Sequence, residues 1–227
     1  MNWQIQIQLN EKLYVRNPAT SELGRNILQH SSTMIQSMGF EQFTFKKLAK
    51  NLNTTESSVY RYFENKHRLL IYLVDLYWRL IEYQLVVNTT NINDPIKKID
   101  IVLQVLMHRI EQEKMADTKI DLHNLHHLVI NEGSKSYLTH HVTKDNEQQL
   151  FKPYKDLCAL IAEIFLEVNP NYPFSRSLTS TVLEMAHHQY FFMHHLPRLT
   201  DFGDTRKEQK IIDFLRHLIM SSLLNKE

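Results

Sequence analysis

The sequence predicts an all-α protein, and three observations carry that expectation. Its 227 residues include only four Gly and six Pro, fewer turn-formers than sandwiches or doubly wound sheets use. Beyond Pro18, apolar residues recur at helical spacing in each long segment. Thr44, Thr55, Asn65 and Asp94 stand at the starts of such segments, where side-chain oxygens cap helices. Hydrophobic residues make up 43% of the chain, which excludes a disordered polymer and suffices for a buried core.

The amino end departs from the helical pattern. Trp3, Ile5, Ile7 and Leu9 alternate with polar residues, Asn10-Glu11-Lys12 can turn, and Leu13-Tyr14-Val15 can return. That permits a short β-hairpin docked on the rest of the chain. The first helix then carries Leu23, Ile27, Met34, Ile35 and Met38 on one face. Gly39 suits a positive-φ terminus, with Phe40 folding back as its apolar partner. Thr44 caps a second helix with Phe45, Leu48, Ala49 and Leu52 inward. Asn53-Thr54 interrupts it, and Thr55 caps a third helix expected to reach Phe63. Asn65 caps a fourth, running from Lys66 through Leu69, Leu70, Leu73, Leu76 and Leu80 towards Val87. Asp94-Pro95 reads as cap and first turn of another. Further helices are expected at Ile120 to Asn131, Lys144 to Val168, Ser175 to Leu196 and Thr205 to Leu224, punctuated by Gly133, Asn169-Pro170 and Pro197.

The second and third helices form a helix-turn-helix. Ala49 is small where the helices cross, Asn53 tolerates positive φ in the turn, and Val59 points into the core. The outward positions then include Glu56, Ser57, Ser58, Tyr60, Arg61 and Tyr62. Short hydroxyls allow close approach to a duplex, tyrosine hydroxyls donate to phosphate, and arginine reads guanine in the major groove. Lys66, at the start of the fourth helix, marks a phosphate site. Six cations face three acids between Glu41 and Leu70, although the whole chain carries only +1. The same residues also suit an ordinary solvated helical face, and spacing alone leaves the two readings level.

The stretch from about Ser21 to Tyr77 resembles the DNA-binding domain of the tetracycline-repressor (TetR) family of bacterial regulators. The likeness rests on Gly39-Phe40, Thr44, Leu48-Ala49, Ser58-Val59-Tyr60-Arg61-Tyr62-Phe63, Asn65-Lys66 and Leu69-Leu70. It implies a homodimeric, all-helical transcription regulator, usually a repressor that binds a palindromic operator and is released by a small ligand. It also implies that Lys46 contacts DNA from the first helix of the motif and that Thr44, a cap, touches phosphate. Thr55, Glu56, Ser57 and Ser58 fall at base- or backbone-facing positions. Tyr60, Arg61 and Tyr62 fall at contact positions, and Lys66 at the phosphate contact that follows. Asn53 replaces the usual turn glycine, Ser57 stands where Gly or Pro is common, and Glu56 is an acid beside DNA. The division expected is an amino-terminal extension over 1–20, a helix-turn-helix domain over 21–80, and a helical effector-binding and dimerisation domain over 81–227. The family's last two helices usually pair subunits, here about 175–196 and 205–224.

The thirteen histidines raise a second class of reading. His123 and His127 are four apart, which is ligand spacing, with Asp121 and His126 close by. His187 and His194 lie about 10 Å apart along a helix, too far to share one metal. A helical metal-dependent enzyme using the His/Asp cluster is therefore one alternative, and an interaction protein retaining the motif as scaffold is another. Hydrogen-bonded or solvated histidines are the expectation, with no metal, cofactor or catalytic residue assigned. Cys158, the single cysteine, sits in an apolar run and reads as a packed side chain. One cysteine, no apolar run of membrane length and no basic-then-apolar leader make a cytoplasmic protein the expectation.

Overall fold

The computed structural model describes residues 7–107, 121–205 and 207–224. Among them are ten α-helices and no strand: α1 Glu22–Met38, α2 Phe45–Asn51, α3 Glu56–Tyr60, α4 Lys66–Thr89, α5 Pro95–Leu106, α6 Leu122–Glu132, α7 Val142–Glu147, α8 Lys152–Val168, α9 Ser175–His195 and α10 Glu208–Leu224. The described chain divides into two compact units, one of residues 7–79 and 121–153, the other of 80–107, 154–205 and 207–224.

The first unit holds the helix-turn-helix. Ser21 caps α1, its Oγ accepting from Gly24 N, and Gly39 ends α1 at φ 79° with its N–H donated to Ile35 O. Ile27, Leu28 and Ile35 of α1 join Leu48, Val59, Phe63, Leu69 and Leu70 in the core, and α6 packs along α1 through a face that buries Leu125 and Leu128. Of the expected hairpin, Trp3 and Ile5 lie outside the described residues. The part that is described, 7–15, forms no strand. It contains a 3-10 turn at Glu11–Leu13, capped by the Asn10 side chain. Leu9 and Leu13 are both buried, and the Asn10 amide donates to the carbonyls of Gln148 (2.9 Å) and Gln149 (3.2 Å).

Two helix boundaries also differ from expectation. α3 stops at Tyr60, because Tyr62 N and Phe63 N both donate back to Val59 O while the two aromatic rings turn into the core. The long helix expected from Lys144 to Val168 is broken into α7 and α8. Gln149 takes φ 60°, Leu150 N donates to Asp145 O, and the Leu150 side chain is fully buried at the break.

The second unit is a helical packing of α5, α8, α9, α10 and the carboxyl-terminal part of α4. Val102, Leu103 and Leu106 of α5, Leu157, Ile161 and Phe165 of α8, Val182, Leu183 and Ala186 of α9, and Ile211, Leu215 and Ile219 of α10 are buried. α10 packs on both α9 and α5. Lys98 with Glu167 (2.6 Å) and Arg216 with Asp100 (2.7 Å) tie its surface, and Asn169 donates to Leu223 O. Phe214, Leu196, Leu199 and Leu224 remain exposed, with Phe192 and Leu218 half-buried. Among the described residues no helix is long and apolar enough to cross a membrane.

Candidate nucleic-acid interface

The motif is assembled from its caps. Thr44 Oγ1 accepts from Lys47 N at 3.2 Å and starts α2, whose Phe45, Leu48 and Ala49 are buried. Ala49 gives α3 the close crossing it needs, and α2 and α3 pack directly. Asn53 takes φ 51°, and Thr54 N then closes onto Ala49 O at 2.9 Å. This is a left-handed turn in which Asn costs less than other non-glycine residues. Thr55 Oγ1 accepts from Ser58 N (3.2 Å) and lies 2.9 Å from Ser57 Oγ and 2.8 Å from Ser58 Oγ. A compact patch of three hydroxyls results at the start of α3.

Around that patch Thr44, Lys46, Thr55, Ser57, Tyr60 and Arg61 are exposed, and Glu56 and Ser58 are half-buried. Tyr60 is anchored edge-on against Phe45 with ring centroids 5.0 Å apart, yet keeps 48% of its surface in solvent. A short rigid tether of this kind aims a phenol outward at little entropic cost. Lys47 is partly committed, its Nζ donating to Gln42 O.

Two of the residues expected to face DNA are turned elsewhere. Tyr62 is 3% exposed, and its hydroxyl hydrogen-bonds Ser21 Oγ at 2.8 Å. It is a strut between α1 and the end of α3, because Val59, Tyr62 and Phe63 all follow the core side once the helix tightens after Tyr60. Lys66 lays its ammonium over the Phe40 ring, 4.5 Å from the centroid. Its Nζ donates to the carbonyls of Phe40 (2.9 Å), Glu41 (3.1 Å) and Phe43 (3.3 Å). The side chain therefore ties down the turn between α1 and α2 from within. Asn65 caps α4 as expected, accepting from Arg68 N.

Two contributors escaped the sequence reading. Glu132, at the end of α6, accepts from Phe40 N at 3.0 Å and pairs with Lys135 at 2.8 Å. It thus fixes the same turn from the opposite side, across 92 positions of chain. At the start of α4, Arg68 meets the buried carboxylate of Asp145 at 3.1 Å, with His67 at 3.8 Å from the same group. Desolvation holds the His67 imidazole below the ordinary histidine range, opposed by the Asp145 charge. No local pattern announces contacts at such separations.

The histidine cluster is dispersed in three dimensions. Asp121 serves as the cap of α6, accepting from His123 N. His126 is buried with its Nδ1 3.0 Å from the Tyr77 hydroxyl. His123 and His127 converge, Nε2 to Nε2 at 3.2 Å, and among the described residues no group of three His, Cys, Asp or Glu is arranged around a common point. His187 is buried, and His194 and His195 lie against Tyr190 and Phe191 on α9. Cys158 is half-buried and its thiol is pushed up to about 11 by burial and then by Glu184, which keeps it protonated at neutral pH.

Residues 27–73 match the family described as bacterial regulatory proteins, tetR family. No curated protein matches the sequence. Solved structures of similar fold include the fatty acid degradation regulator FadR from Bacillus halodurans, at TM-score 0.60 and 18% identity over 88% of this chain and 96% of that one. AibR in complex with isovaleryl coenzyme A and operator DNA is similar at TM-score 0.53 and 15% identity, over 86% and 97%. Apo AibR gives TM-score 0.51 and 15% identity, over 86% and 96%.

Proposed function

Because residues 27–73 match the family described as bacterial regulatory proteins, tetR family, we propose that the protein is a ligand-responsive repressor binding a near-palindromic operator as a homodimer. The observation that carries this reading is the exposed face of the helix-turn-helix. Thr44, Lys46, Thr55, Ser57, Tyr60 and Arg61 lie open to solvent around the left-handed Asn53 turn. Lys46 and the hydroxyls supply phosphate contacts, Arg61 and Tyr60 reach base edges or phosphate, and Glu56 can accept from a cytosine amine. Tyr62 and Lys66 support this face from behind.

A dimer would set two copies of α3 about 34–36 Å apart, one per major groove on one side of the duplex. Pairing through α9 and α10 is supported by the apolar surface a single chain leaves there, Phe214, Leu218, Phe192, Leu196 and Leu199. The effector would bind within the helices beyond residue 80 and act by favouring one subunit arrangement over another. Acyl coenzyme A thioesters are the first compounds to try, since AibR was solved with one. The metal-enzyme reading is disfavoured by the use of Asp121 as a cap and of His126 in a buried bond to Tyr77.

The test is selection of bound fragments from genomic DNA, followed by footprinting with Lys46→Ala, Tyr60→Phe and Arg61→Ala. Wild-type protein should protect a near-symmetric site, with binding that weakens steeply as salt rises. The three variants should lose protection. If all three protect the site as the wild type does, the interface assignment is wrong.

A further inference from the structure

We propose that the segment preceding α1 is a second, fixed arm of the DNA interface, and that Arg16 on it contacts the phosphate backbone beside the recognition helix. The inference rests on the DNA-binding reading above and extends it to a residue outside the helix-turn-helix.

The segment is built as a strap rather than a loose end. Leu9 and Leu13 are buried, Asn10 is bonded to the Gln148 and Gln149 carbonyls, and the Tyr14 ring meets Tyr72 of α4 edge-on at 6.1 Å. Pro18 presses on α1 at Gly24, where a Cβ would come within 2.2 Å of Pro18 O, so only glycine admits this approach. Ser21 closes the strap with its bond to the Tyr62 hydroxyl.

Between these anchors the strap reaches the end of the recognition helix. Val15 N donates to Tyr62 O at 2.8 Å, and the Arg16 guanidinium lies over the Tyr62 ring, 5.5 Å from its centroid. Tyr62 follows Arg61 directly, and both Arg61 and Arg16 are exposed. Arg16 has no carboxylate partner among the described residues, whereas Arg68 and Arg216 are each paired with an aspartate. A guanidinium stacked on a buried aromatic keeps its in-plane N–H groups free for an anion, and it has lost most of its rotamer freedom before binding. An unpaired, preoriented cation at the edge of a helix-turn-helix fits a phosphate, which bidentate donation from arginine suits.

The experiment uses the full-length protein and a random-sequence duplex of about 30 base pairs, long enough for two successive half-sites. Binding is followed by fluorescence anisotropy at a series of salt concentrations. Arg16→Ala should weaken binding about three- to tenfold and reduce the slope of log affinity against log salt by about one. Its thermal midpoint should fall by no more than about 3 °C, the worth of the lost contact with the Tyr62 ring. Arg16→Lys should retain the wild-type slope, because it keeps the charge. If Arg16→Ala binds as wild type while Arg61→Ala is weakened, the arm is refuted and the helix-turn-helix reading stands. If Arg16→Lys loses the slope as fully as Arg16→Ala, the phosphate assignment is refuted. If Arg16→Ala, Arg61→Ala and Lys46→Ala all bind as wild type, the DNA-binding reading fails and the arm fails with it.

Discussion

Replacing Lys66 with methionine separates two roles for one residue. Methionine keeps an apolar stem over Phe40 and deletes the ammonium. The loss is three hydrogen bonds from one charged donor to the carbonyls of Phe40, Glu41 and Phe43, plus the contact with the Phe40 ring. A single bond to a charged group is worth about 1.5–3 kcal/mol. The three share one ammonium, and water can reach the Glu41 carbonyl once it leaves, so their joint contribution is held near that of one. The ring contact adds about 0.5–1 kcal/mol. Lys66→Met should therefore destabilise the protein by about 2–4 kcal/mol, a fall in Tm of about 5–15 °C for a chain of this size. Urea unfolding should show a lower midpoint at unchanged slope. DNA affinity should fall by a similar factor at every salt concentration, because a loosened α1–α2 turn displaces α2 without removing a phosphate contact. A Tm within about 1 °C of wild type, combined with a salt slope reduced by about one, would refute this account and return Lys66 to the phosphate.

Three further outcomes are expected. Tyr62→Phe should cost about 1 kcal/mol in thermal unfolding, the worth of its bond to Ser21, and leave the salt dependence of DNA binding intact. At Asn53, φ 51° makes alanine cost about 1 kcal/mol while glycine is neutral or slightly stabilising, which paired urea titrations of the two variants would show. Asp75 is buried on α4 at 1% exposure, one carboxylate oxygen has no hydrogen-bond partner, and desolvation holds its carboxyl well above the usual range despite Arg79. The folded state thus keeps a proton that the unfolded chain releases above its ordinary carboxylate range. Stability contributed by this group is present at low pH and is lost as pH rises towards the folded value. Asp75→Asn should remove that decline, read as Tm across a pH series from acid to neutral, and an unchanged pH profile would mean that Asp75 is not the group responsible.

The candidate site was legible in the sequence where its chemistry is local. The caps Thr44, Thr55, Asn65 and Asp94, the left-handed Asn53, the inward Val59 and the exposed Lys46, Ser57, Tyr60 and Arg61 each depend on neighbours within about one or two helical turns. The assignments that changed depend on something farther away. A helix reaching Phe63 would turn Tyr62 outward, but α3 ends three residues earlier and the ring meets Ser21 across 41 positions. Lys66 falls at a phosphate-contact position in the sequence, whereas the carbonyls that hold it belong to a turn 23 to 26 residues upstream. Arg16 carries no motif, being an isolated arginine in an extension.

Periodicity and capping residues alone determined that this chain is helical and where its helix-turn-helix begins. Both follow from dihedral preferences and from which side chains can satisfy the open N–H groups of a helix end. Tertiary structure alone decided which cations remain available, since a charge is free only if no distant carbonyl or carboxylate has claimed it. It also turned the apparent hairpin into a strap, because the burial of Leu9 and Leu13 and the Val15–Tyr62 bond need partners that the amino end does not itself contain.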